Sequence, residues 1–200
     1  MTHPASSNDR SEPTAPHRVA GYSLFELVVT MSVVAILFTV GVPSYKYVTT
    51  ANRATSEINA LLGDLQFARS QAIKYGLAIT VCPSTDGANC LTGATPSWTG
   101  WIVFTDGSVV GTVDGTDAVK RIQPTFSSTD TLTLNHSVKA ITFSREGFAM
   151  NLPSAVTFQL HNSPSNAQYT RCLSLTIVGA LSTQLNGGTT AETGTYSTCT

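Results

Sequence analysis

The stretch Gly21-Tyr22-Ser23-Leu24-Phe25-Glu26-Leu27-Val28-Val29-Thr30-Met31-Ser32-Val33-Val34-Ala35-Ile36-Leu37-Phe38-Thr39-Val40-Gly41-Val42-Pro43 decides how this chain is organised. From Tyr22 to Val42 it holds 21 residues and a single charged side chain, Glu26. As a helix it reaches roughly 30 Å, the thickness of a bilayer's hydrocarbon core. A secretory signal peptide has an apolar region of about 7–15 residues and a small-residue cleavage site behind it. Here the run is longer and leads into Pro43-Ser44-Tyr45-Lys46. A plain membrane anchor explains the length but not the carboxylate near its start. An ionisable group in hydrocarbon costs at least about 2.5 kcal/mol unless it is partnered, so Glu26 is a candidate functional residue.

Around this stretch the chain is poor in charge throughout. Of its 200 residues 12% are charged, 42% are hydrophobic, and the net charge is −1. The sequence pI is about 6.4 and mean hydropathy only +0.09. The surface is instead hydroxyl-rich, with 30 Thr and 21 Ser, which fits an extracellular setting. This balance excludes a strongly basic protein that grips nucleic acid by bulk charge. It also excludes an acidic, solvated, disordered chain. The length suits one domain with a real core.

Beyond Pro43 the pattern is that of an amphipathic helix. Val48, Ala51, Ala54, Ile58, Leu61, Leu62, Leu65, Ala68, Ala72 and Ile73 recur at steps of three and four, with Arg53, Glu57, Asp64, Arg69 and Lys74 between them. Gly76 supplies a stop. One long helix from Tyr22 to about Tyr75 is predicted. A kink or melted turn is expected near Gly41–Ser44, because Pro43 has no amide hydrogen. From Leu77 the period becomes two. Strands are predicted at Leu77–Cys82, Trp101–Thr105, Ala118–Gln123, Thr131–Asn135, Lys139–Ser144, Ala155–His161, Cys172–Val178 and Leu181–Leu185. Turn residues such as Asp86-Gly87, Asp106-Gly107 and Asp114-Gly115 separate them. The fold class is therefore α+β, a long N-terminal helix packed on antiparallel sheet. Four segments are expected: a leader over 1–21, a membrane segment over 22–43, its amphipathic continuation over 44–76, and a β domain over 77–200.

Basic residues give no direction across the membrane: Arg10 and Arg18 precede the apolar run, Lys46 and Arg53 follow it. The cysteines do. Cys82, Cys90, Cys172 and Cys199 are even in number and lack the paired knuckles of a zinc site. Two disulfides in an oxidising compartment are expected. Of three possible pairings, the short Cys82–Cys90 spacing with Asp86-Gly87 as its turn favours a local loop, which leaves Cys172 with Cys199.

Arg18-Val19-Ala20-Gly21 followed by Tyr22-Ser23-Leu24-Phe25-Glu26 resembles a prepilin processing site. The resemblance implies cleavage after Gly21 by a prepilin peptidase, N-methylation of Tyr22, an assembly role for Glu26, and a proline at the place pilins often carry one, here Pro43. The leader is long and nearly neutral, and Tyr stands where Phe is commoner. Further along, Leu61-Leu-Gly-Asp-Leu-Gln-Phe-Ala-Arg-Ser-Gln-Ala-Ile-Lys74, Val81-Cys82-Pro83-Ser84-Thr85-Asp86-Gly87 through Cys90, Trp98-x-x-Trp101-Ile-Val-Phe-Thr-Asp106 and Ile141-Thr-Phe-Ser-Arg-Glu-Gly147 resemble the GspH/FimT family of minor pilins and pseudopilins. That family implies a type IV pilin-like fold and a structural role in a filament with other pilins or pseudopilins. It also implies a single-pass protein of the bacterial inner membrane, its β domain in the periplasm. The loop at Cys82–Cys90 and the overall length favour a type IV pilus, near the tip or in a priming complex. The alternative is the H-type pseudopilin of a type II secretion system.

No enzyme signature is present: the chain lacks G-x-S-x-G, H-E-x-x-H, a P-loop and a dinucleotide fingerprint. No cofactor or metal is expected. Trp98 and Trp101 read as sheet packing, His136 and His161 as turn or surface residues. Some FimT-type relatives bind DNA through a G-R-x-R motif in the last hairpin. The matching segment, Ile177-Val-Gly179-Ala180-Leu181-Ser182, keeps the glycine and has neither arginine. Lys120, Arg121, Lys139, Arg145 and Arg171 are scattered along the chain, so DNA is not an expected partner.

Overall fold

A computed structural model describes residues 21–107, 109–126, 130–161, 170–185 and 199. One helix, α1 (Leu24–Tyr75), is followed by ten strands: β1 (Ala78–Pro83), β2 (Thr95–Trp98), β3 (Trp101–Asp106), β4 (Val119–Gln123), β5 (Thr131–Val138), β6 (Ile141–Phe143), β7 (Ala149–Met150), β8 (Val156–His161), β9 (Arg171–Leu175) and β10 (Leu181–Leu185). The chain divides into two compact units, up to Ser44 and from Tyr45 onward.

The first unit is the apolar part of α1. Ser23 stands at the N-cap position, its carbonyl accepting the Leu27 N–H (3.1 Å). The helix thus begins two residues later than predicted. Hydroxyls inside the apolar run turn back on their own helix: Thr30 Oγ1 donates to the Leu27 carbonyl (2.9 Å), Ser32 Oγ to Val29 (2.7 Å) and Thr39 Oγ1 to Ile36 (2.7 Å). Each of these polar hydrogens is satisfied without water, as an apolar medium requires. The chain stays helical across Gly41–Ser44, so the predicted melted turn is absent. Losing one N–H removes a single bond from a ladder that continues on both sides.

The second unit is a sandwich-like β domain covered by the rest of α1. Ala54, Ile58, Leu61, Leu65, Ala68 and Ala72 are all buried. Their spacing is one helical face, laid on Ile79, Val81, Trp98, Val103, Ile141, Phe143, Phe158 and Leu173 in a single core. Each fully buried Leu of this face contributes about 1.5–3 kcal/mol. Gly76, with φ 67°, ends the helix, its N–H reaching the Ala72 carbonyl (3.0 Å).

Two five-stranded antiparallel sheets follow, in the orders β4-β3-β1-β6-β7 and β10-β9-β8-β5-β2. β1 is buried along nearly its whole length, on both faces. Its helix-facing residues join the main core. On the far face Cys82 joins Ile102, Phe104 and Ala140 in a smaller cluster, with Cys90 and Val113 against it. Beside that cluster the Thr80 hydroxyl donates to Asp106 (2.5 Å) and shares a bond with Thr142 (2.7 Å), while the Gly111 N–H reaches the same Asp106 oxygen (2.7 Å).

Two strands go beyond the sequence expectation. β2 carries Pro96, which cannot donate to a ladder, yet it lies at the edge of its sheet, where proline is tolerated. β7 is two residues long and has no periodicity to read. The predicted Cys172–Val178 strand ends at Leu175, because Thr176–Ala180 form the turn to β10, with Gly179 at φ 77°.

Candidate functional site

At the amino end, Gly21, Tyr22 and Ser23 lie outside the helix and are exposed, Tyr22 by 82%. A Cβ at Gly21 would meet nothing within 4 Å. Glu26 falls in the first turn of α1 and is exposed. Ser23 and Glu26 also have the spacing of a capping box, and a carboxylate in the first turn faces unpaired N–H groups and the positive end of the helix dipole. The sequence reading misses this local setting, although the Ser-x-x-Glu spacing carries it. The helix segment behind is long and apolar enough to cross a membrane, and its large side chains from Leu24 to Phe38 are exposed. Pro43 lies within α1.

In the β domain the sulfurs of Cys82 and Cys90 are bonded (2.02 Å), as are those of Cys172 and Cys199. Within the first loop the Asp86 carboxylate accepts the N–H groups of Ala88 (2.9 Å) and Asn89 (2.8 Å), the Asn89 amide (2.9 Å) and the Ser84 hydroxyl (3.0 Å). These bonds, Asn89's first, hold its carboxyl far below the ordinary range.

Four charged residues of α1, Arg53, Glu57, Asp64 and Arg69, face the domain. Arg53 grips the buried Asp130 through Nε (2.7 Å) and Nη2 (3.2 Å). Glu57 lies 3.9 Å from the same Arg53, and one of its carboxylate oxygens is buried without a hydrogen bond. Burial, then the Asp130 charge, push Glu57 up to about 7 against the pull of Arg53. Asp64 accepts from the Trp101 indole Nε1 (2.9 Å) and from Arg121 Nη1 (2.9 Å), and the Arg121 guanidinium lies 3.8 Å over the Phe67 ring. Arg69 donates to the backbone carbonyls of Gly147 (3.0 Å) and Val178 (3.4 Å). Sequence spacing sets these side chains between apolar positions without revealing partners. Asp64 directly precedes Leu65, so it borders the buried stripe, and that adjacency is the available signal.

The remaining sequence-derived candidates are dispersed. Trp98 and Trp101 are buried, Trp98 edge-on to Phe158 at 5.4 Å. Arg145 pairs with Glu146 (2.7 Å), Lys139 with the Thr112 hydroxyl (2.8 Å), and Arg171 with the Thr55 hydroxyl (3.3 Å). His136 shares a bond with Ser154 (2.9 Å), and burial lowers the pKa of His161. Among the described residues no cluster of His, Cys, Asp and Glu is placed to hold a metal ion.

The family model for GspH, described as Type II transport protein GspH, matches residues 57–179, more than half of the chain. The chain belongs to the GspH family. Among solved structures, the type IV minor pilin FimU of Pseudomonas aeruginosa strain PAO1 is similar in two crystal forms. One is 23% identical over 68% of this chain and 94% of FimU, with a TM-score of 0.50. The other is 22% identical over 72% and 95%, with a TM-score of 0.51. At this identity the likeness concerns the fold, a long amino-terminal helix on antiparallel sheets. Curated protein sequences gave no match. As a GspH-family subunit the chain is a structural protein of the pilin and pseudopilin type, not an enzyme, and its family implies assembly with other pilins in a filament.

Proposed function

We propose that this subunit is made as a precursor, cut between Gly21 and Tyr22 by a prepilin peptidase on the cytoplasmic side, and methylated on the new Tyr22 amine. The segment ending at Pro43 then holds it in the bacterial inner membrane, with the disulfide-bonded domain in the periplasm. From there it enters a type IV pilus as a minor pilin, near the tip or in a priming complex. The observation that carries this reading is the amino end itself: an exposed, non-helical Gly21-Tyr22-Ser23 heading an apolar helical segment, up to Val42, whose one carboxylate, Glu26, lies in the first turn. Glu26 pairs with the Tyr22 amine of an adjacent subunit, so that the correct register in the filament leaves no carboxylate alone in hydrocarbon. The disulfides support a domain outside the cytoplasm.

Mass spectrometry of the mature chain should find N-methyl-tyrosine at its start. Glu26→Ala should leave cleavage intact and remove the subunit from sheared filaments; normal incorporation would refute the pairing.

A second reading, the H-type pseudopilin of a type II secretion system, draws on the family's own description. Deletion separates the two: loss of pilus-driven motility supports the first, loss of exoprotein secretion the second. A DNA-binding role is not favoured, since Arg121, Lys139, Arg145 and Arg171 are engaged within the domain. A mobility-shift assay at low salt checks this, with no retardation expected.

A further inference from the structure

Two turns, one from each sheet, meet beside α1, and glycine at position 179 lets them meet. A Cβ at Gly179 would lie 2.3 Å from the Gly147 carbonyl oxygen, and a Cβ at Gly147 2.8 Å from Ile73. Arg69 clasps the pair through two neutral carbonyl oxygens. Arg53, Arg121 and Arg145 each have a carboxylate within ion-pair distance; among the described residues Arg69 has none. A guanidinium carries five N–H donors, and the two carbonyls leave some of them free.

Next to Arg69 opens a groove of about 590 Å³, lined by Gln66, Arg69, Ser70 and Ile73 of α1 and by Gly179, Ala180 and Leu181. Its rim is apolar. Ile73, Phe148, Ile177 and Val178 are each about half exposed.

We infer that this groove receives an extended segment of another pilin-family subunit, a carboxylate of that segment pairing with Arg69 and its apolar neighbours covering Ile73 and Ile177. The inference rests on the filament reading above. One guanidinium without a counter-charge calls for a single anion, and the exposed Ile73 beside it calls for an anion on a partly apolar carrier. A nucleic acid would need several cations in a row, which the groove does not offer. Arg69 and a carboxylate would form the bidentate pair that a planar fork favours.

Ser70 is the place to test this. It is exposed, lines the groove, and donates its hydroxyl hydrogen to the Phe67 carbonyl of its own helix (2.8 Å). The full chain is expressed in its pilus-forming host with a photo-crosslinking amino acid at 70, and separately as Ser70→Glu and Ser70→Lys. The crosslink should join position 70 to a peptide of another pilin-family subunit that contains Asp or Glu. Ser70→Glu should lower the filament-associated amount at least tenfold at unchanged cellular level, and Ser70→Lys should stay within twofold of wild type. A crosslink confined to the chain itself, or to a protein outside the family, overturns the proposal. So does Ser70→Glu assembling normally, or Ser70→Lys failing as badly. Wild type missing from filaments would instead refute the filament reading.

Discussion

The two halves of α1 solve opposite problems with the same backbone. Up to Ser44 the large apolar side chains are exposed, and the hydroxyls bond back to their own helix. From Ala54 to Ala72 the apolar stripe is buried, and Arg53, Asp64 and Arg69 reach away from the helix to Asp130, Trp101, Arg121 and two turn carbonyls. The first half keeps its polar groups to itself and offers grease to its surroundings. The second buries its grease and uses polar groups as ties. Helical period alone does not separate these cases; the medium around each half does.

The sharpest way to break the contrast is a truncated side chain in each half. Leu65→Ala opens a cavity under the sheets and should cost about 2–5 kcal/mol in denaturant unfolding. Val34→Ala, in the exposed half, should leave that transition unmoved. The ties come next. Asp64→Ala leaves the Trp101 indole and Arg121 without their acceptor and should cost about 1–3 kcal/mol, with Asp64→Asn milder because an amide oxygen still accepts from Trp101.

Glu57 gives a third test, through pH. Its folded value, about 7, lies above the ordinary 4.5, so the folded state holds a proton that the unfolded chain releases sooner. The stability this contributes is fully present below about 4.5 and is lost as pH rises through 7. His161 works in the other direction: burial lowers its pKa, so its contribution is present above 6.5 and is lost as pH falls through its folded value. Melting curves from pH 5 to 8 for wild type and Glu57→Gln isolate the first effect. The variant should lack the decline that wild type shows from pH 5 to about 7, and identical slopes would remove Glu57 from the account. The smallest effect belongs to the first half: Thr30→Val breaks a bond internal to one turn and should change helicity in detergent by no more than about 0.5 kcal/mol, read by circular dichroism.

What the amino-acid order makes legible follows the same division. The buried stripe from Ala54 to Ala72 and the alternation of β8 are local periodicities, so they show directly in the spacing of residue types. The family motifs carry the fold, and the Gly21–Glu26 stretch carries the candidate site. The partners of Arg53, Asp64 and Arg69 lie 77, 57 and 78 residues away in the chain. Only the register of the sheets brings them near, and no spacing encodes that. β2 escapes for a related reason: its pairing with β5 overrides the proline that argues against a strand.

The bare backbone at Gly179 has one more consequence. Because nothing but a hydrogen fits between it and the Gly147 carbonyl, position 179 is a shim slot between the two sheets. A single methyl inserted there is a wedge that acts on both turns at once and on no buried side chain of the main core. In this hairpin the side chains of Ile177, Val178 and Ala180 are exposed, so the crowding is confined to one point. The outer face of the hairpin and its seating on the neighbouring turn are thus set by different residues.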